Sequence, residues 1–130
     1  MQTRADILVV DDDQAIADLI TEVLTDEGYT VRASLTVAHA RAQIAEHRPE
    51  LVLLDLHMPG ETGHTLAYNL NTDGLATISI ILMTADAEAA HELSMEGTDF
   101  CLLKPFDLDE LIDCVAKYIR RSCTVENIAS

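Results

Sequence analysis

Five polar residues stand where apolar runs stop. Asp11 and Asp12 follow the run 7–10, Asp55 follows 51–54, Thr84 follows 78–83 and Lys104 follows Phe100–Leu103. Three carboxylates gathered in one place repel one another unless a cation joins them. Oxygen-only ligands suit a hard cation. Mg²⁺ fits best, because it keeps several waters and takes one or two carboxylates plus a phosphate oxygen. Lys104 adds a fixed positive charge and Thr84 a hydroxyl donor. A cation, a lysine and a hydroxyl can neutralise charge that spreads over the equatorial oxygens of a moving phosphoryl group, and a carboxylate is a competent nucleophile for it. These residue types point to phosphoryl transfer onto an aspartate.

Such a set works only if the backbone brings the strand ends together. Residues 7–10 and 51–54 are continuous apolar runs, the pattern of strands buried on both faces; 78–83 is apolar apart from Ser79 and reads the same way, and Thr30–Ser34 and Phe100–Leu103 read as two further strands. Between them lie segments of helical period. The first carries Ile16, Leu19, Ile20, Val23 and Leu24 and is closed by Gly28; the second carries Val37, Ala40, Ala42, Ile44 and Ala45 and must stop before Pro49. Helices are also expected over 63–70 and 87–95. A last one starts after Asp107 as N-cap, with Leu108, Leu111, Ile112, Val115 and Ile119 as its buried stripe. Asp13 reads as the N-cap or a first-turn residue of the first helix. Five strand-then-helix units imply a parallel α/β sheet covered on both faces, doubly wound, with the polar strand ends on its carboxyl edge.

At 130 residues the chain fits one domain, here 1–121, with the polar, aperiodic residues 122–130 as a C-terminal tail or the start of a linker. Eight basic against 23 acidic residues give a net charge of −15, which repels nucleic acid and anionic lipid and argues against direct DNA binding by this domain. The three cysteines, Cys101, Cys114 and Cys123, follow no metal-ligand spacing and read as reduced thiols. The first residues lack the apolar stretch of a signal peptide and no run approaches a membrane span, so the expected location is the cytoplasm. His39, His47, His64 and His91 read as surface groups on helical segments.

The strings Ile7-Leu-Val-Val-Asp-Asp-Asp13, Leu51-Val-Leu-Leu-Asp-Leu-His-Met-Pro-Gly60, Leu82-Met-Thr-Ala85 and Leu103-Lys-Pro-Phe106 resemble, in order and spacing, the receiver domain of two-component response regulators. The resemblance implies a flavodoxin-like fold of five strands in the order 2-1-3-4-5 with five helices. It implies that Asp55 is the phosphoacceptor, that Asp11 and Asp12 hold Mg²⁺ with Asp55 and the main-chain carbonyl of His57, that Thr84 follows the phosphoryl group and that Lys104 pairs with it. It also implies the partners: a sensor histidine kinase or histidine phosphotransfer protein as donor, and an output domain or target protein engaged through the face of the fourth helix, fifth strand and fifth helix. The domain itself would catalyse only its own phosphorylation and dephosphorylation.

One position departs from the family pattern. Receivers usually carry Tyr or Phe three residues before the lysine, an aromatic that turns inward on activation; here Cys101 stands there and Phe100 precedes it. Neighbouring strand residues face opposite sides, so Phe100 is not a simple replacement. Two other functions compete. A haloacid-dehalogenase-like phosphatase shares the Asp, Thr, Lys and Mg²⁺ set, but carries its nucleophile after the first strand with an acidic residue two places on, where this chain has His57. A receiver-fold binding module without phosphorylation would not require the full set of Asp11, Asp12, Asp55, Thr84 and Lys104.

Overall fold

The computed structural model describes residues 6–56, 78–85, 100–103 and 107–129; for Phe100, Cys101, Leu103 and residues 120–129 only the backbone is described. Five strands, β1 (Asp6–Val10), β2 (Thr30–Ser34), β3 (Leu51–Asp55), β4 (Ser79–Thr84) and β5 (Phe100–Leu103), form one sheet in the order β2-β1-β3-β4-β5. Every pairing is parallel. Three helices are described: α1 (Gln14–Asp26), α2 (Val37–Glu46) and α3 (Leu108–Ala129). The helices expected over 63–70 and 87–95, together with His57, His64, His91 and Lys104, lie outside the described residues.

The pleat divides the core in two. Leu8, Val10, Val52, Leu54, Ile80 and Leu82 pack with Val37, Ala40 and Ile44 of α2. Ile7, Val9, Leu51, Leu53, Ile81 and Met83 pack with Ile20 and Leu24 of α1 and with Leu111, Val115 and Ile119 of α3. Alternate residues of one strand thus serve opposite helix layers, which is why the central strands read as unbroken apolar runs. Each fully buried Leu or Ile among them stabilises the fold by about 1.5–3 kcal/mol relative to exposure.

The helix ends follow from local chemistry. Asp13 is extended (φ −88°, ψ 108°) and accepts hydrogen bonds from the amides of Ala15 and Ile16, an N-cap worth about 1 kcal/mol. Gly28, at φ +101°, ends α1: its N–H donates to the Thr25 carbonyl and that of Tyr29 to the Leu24 carbonyl, a pair of bonds that needs a left-handed residue. Thr36 caps α2 through the amide of His39, 3.0 Å away. Asp107 and Glu110 form a reciprocal capping box before α3, at 2.8 and 3.1 Å. Arg32 on the edge strand covers the far end of α2, donating to the carbonyls of Gln43 and His47 and pairing with Asp6. His47 is exposed, as expected, yet its Nε2 meets Asp6 as well.

The helix faces depart from expectation in three places. Leu19 is 46% exposed and Ala17 takes its place in the core; Ala42 and Ala45 are exposed on α2; and in α3 Leu108 is 38% exposed while Cys114 and Tyr118 join the buried stripe. Apolar spacing alone does not resolve which of these positions is covered, because several registers share the same i, i+3 and i+4 matches. The expected irregular tail is also corrected, since α3 continues through it to Ala129. No Gly or Pro follows Pro105 to break the helix. Its 22 residues span about 33 Å, well beyond the strands it packs on.

Cys114 is free and buried. Burial pushes its thiol up from 9.0 to about 11, with the nearby Lys117 charge pulling it down less strongly. Near pH 8 the native thiol should therefore react with an alkylating reagent about 100-fold more slowly than in the unfolded chain, read at its own peptide by mass spectrometry. Equal rates in the two states would contradict this. The same shift removes stability as the pH climbs from about 9 to about 11, because the unfolded chain releases that proton first.

Candidate functional site

Parallel register brings the polar strand ends to one edge. Val10 pairs with Leu54, so Asp11 and Asp55 stand side by side one residue further on. Asp55 pairs with Met83, which puts Thr84 next along the edge, and Thr84 pairs with Leu103, the residue before Lys104. Asp11 and Thr84 are fully buried and Asp55 is 5% exposed. Asp12 is exposed. Carboxylate oxygens of Asp11, Asp12 and Asp55 all lie within 4.8 Å of one another. Nothing else among the described residues forms a group of three or more potential metal ligands.

The local backbone explains why the acidic pair can face this point. The Asp11 amide donates to the Ser34 carbonyl at 3.1 Å, prolonging the β1–β2 ladder by one bond beyond the strand. The chain then turns, with the Asp13 amide donating to Asp11 Oδ1 at 2.9 Å. Asp13 itself is spent on capping α1, so the third aspartate of the run serves the helix and does not join the cluster. On the neighbouring strand the Leu56 amide donates to the Met83 carbonyl at 3.1 Å, which holds the exit of β3 against β4 just after Asp55.

An all-oxygen donor set of three carboxylates, two of them buried, fits a hard divalent cation: burying several negative charges together is costly unless a positive charge accompanies them. Thr84 ends the strand beside Asp55 and supplies a hydroxyl at the same edge. Of the expected site residues, the structure thus brings Asp11, Asp12, Asp55 and Thr84 to one edge, whereas Lys104 and His57 lie outside the described residues. Cys101 falls in β5 opposite Leu82, with Phe100 opposite Ile81. Sequence reasoning missed Ser34. It sits at the end of an edge strand with no sequence signal for its carbonyl's contact with Asp11.

The family model of the response regulator receiver domain matches residues 7–116. Among curated proteins, the chain is 32% identical over 126 residues to the DNA-binding dual master transcriptional regulator RpaA of Synechocystis sp., covering 95% of this chain and 52% of that protein. It is 36% identical over 121 residues to the DNA-binding response regulator MtrA of Mycobacterium tuberculosis, covering 92% of this chain and 52% of MtrA. The chain spans about half the length of these relatives. Among solved structures, the signal receiver domain of a LuxO repressor protein from Vibrio parahaemolyticus superposes with a TM-score of 0.90 at 25% identity, covering 98% of this chain and 99% of that one. This chain belongs to the response regulator receiver family, the phospho-accepting domains of two-component systems.

Proposed function

We propose that Asp55 accepts a phosphoryl group from a phosphohistidine of a sensor kinase or phosphotransfer protein, with Mg²⁺ held by Asp11, Asp12, Asp55 and the main-chain carbonyl of His57. The observation that carries this reading is the clustering of three carboxylates within 4.8 Å at the carboxyl edge of the sheet. A carboxylate oxygen of Asp55 forms the new bond to phosphorus while the bond from phosphorus to the imidazole nitrogen breaks; that nitrogen keeps the bonding electron pair and, with one proton on the ring, leaves as neutral imidazole. When bound, the cation offsets the charge of the phosphoryl oxygens. Asp11 and Asp12 orient it, Lys104 pairs with the phosphoryl group, and the Thr84 hydroxyl follows that group. The domain catalyses only its own phosphorylation and dephosphorylation.

Phosphorylation then biases the face that includes β5 and α3 toward an output domain or target protein. Cys101 is a small residue where an inward-turning aromatic would otherwise contribute, so the movement at that position is reduced. Residues 1–121 form the receiver, and 122–130 are a C-terminal tail or the start of a linker. The domain makes no direct contact with nucleic acid, consistent with its net charge of −15. No helix among the described residues is long and apolar enough to cross a membrane. The place of action is the cytoplasm.

Incubation with a small acyl phosphate and Mg²⁺ tests the reading. Intact mass should rise by one phosphoryl group, and a chelator added beforehand should prevent it. Continuous release of phosphate in large excess over protein, with no covalent adduct, would instead indicate a phosphatase.

A further inference from the structure

β2 is an edge strand, so alternate carbonyls along it face a neighbour on one side only. Its last two residues divide these duties. The Ser34 carbonyl faces inward and accepts the amide of Asp11 at 3.1 Å. The Ala33 carbonyl has no strand beyond it, and the side chain of Gln43 on α2 fills the gap, with Nε2 3.0 Å from that oxygen. The same Nε2 lies 2.6 Å from the Ser34 hydroxyl, and Ser34 is 1% exposed. Gln43 Oε1 in turn accepts from Arg32 at 3.5 Å. One amide group on a helix thus grips both residues that end the strand, and the second of them holds the backbone of Asp11.

We propose that Gln43, acting through Ser34, is a positioning residue for the acidic cluster: it fixes the end of β2 so that the Asp11 backbone, and with it the buried carboxylate, stays in place against repulsion from Asp12 and Asp55. The proposal rests on the reading of Asp11 as a cation ligand. Three carboxylates within 4.8 Å push apart until the cation arrives, and the side that can yield is the edge, where β2 lacks a second neighbouring strand. A grip on that edge keeps the pocket close to its loaded geometry and lowers the reorganisation needed on binding. Asp11 is also the only one of the three whose backbone amide is tied to β2 among the described residues.

The test uses the whole chain, with Mg²⁺ alone as the probe, titrated calorimetrically well below the thermal midpoint. Gln43→Met keeps the side-chain length and the helix but removes the donor; Ser34→Ala removes the acceptor hydroxyl. Each should raise the Mg²⁺ dissociation constant about three- to tenfold, at or below the low end for a group standing behind a metal ligand. Each should also speed hydrogen exchange at the Asp11 amide. The double variant should be no worse than the poorer single one, since both substitutions break the same contact. An unchanged dissociation constant and unchanged Asp11 exchange in folded Gln43→Met would overturn the proposal, as would full additivity in the double variant. Asp11→Asn separates the two levels. If it leaves Mg²⁺ affinity intact, the reading of the cation site fails; if it weakens binding while Gln43→Met and Ser34→Ala do not, only the positioning role fails.

Discussion

Replacing Asp55 with Asn is expected to abolish phosphoryl incorporation from a small acyl phosphate, lowering the labelling rate on the order of 10³-fold or more. The amide matches the carboxylate in shape, so the strand end and its pairing with Met83 are retained. What disappears is the anionic oxygen that forms the bond to phosphorus. Because Asp55 is 5% exposed and lies with Asp11 and Asp12, the substitution also removes one of three mutually repelling charges. The thermal midpoint of the metal-free protein should therefore hold or rise, which separates a lost nucleophile from a lost fold. Intact mass after timed incubation gives the rate, and peptide mapping gives the site. Undiminished labelling of the Asn variant, with the label on another residue, would refute the assignment.

The second large effect is on the cation. Asp12→Ala should weaken Mg²⁺ binding at least tenfold, about 1.4 kcal/mol, and slow phosphorylation in proportion. Asp12 is the exposed member of the cluster, so its removal leaves no cavity and no buried group stranded. Asp11 differs: its Oδ1 receives the Asp13 amide at 2.9 Å, so its loss would disturb the start of α1 as well. Calorimetric titration of Mg²⁺ and a thermal scan without metal check both halves. A midpoint that drops by many degrees in Asp12→Ala, with cation affinity unchanged, would make Asp12 a structural residue.

The order of the described elements, the parallel sheet and the edge that holds the acidic cluster were all legible in the amino-acid sequence. The reason is physical: a strand buried on both faces, such as 51–54, has no other way to read than as an apolar run, and a carboxylate ending it has nowhere to go but the sheet's edge. Caps were legible for the same local reason, since Asp13, Gly28 and Asp107 act within a few residues of themselves. Rotation of helices about their axes was not, because Leu19 and Leu108 satisfy the same spacing as their buried neighbours and only packing against a particular strand decides which one is covered. Nor was the helical course of 120–129, where polarity suggested a tail while the lack of any breaker after Pro105 allowed α3 to continue. Distances within the cluster, and the grip of Gln43 on Ala33 and Ser34, join residues far apart in the chain. Such contacts depend on how α2 settles on the edge of the sheet, and no periodicity or local motif records that; tertiary packing alone decided them.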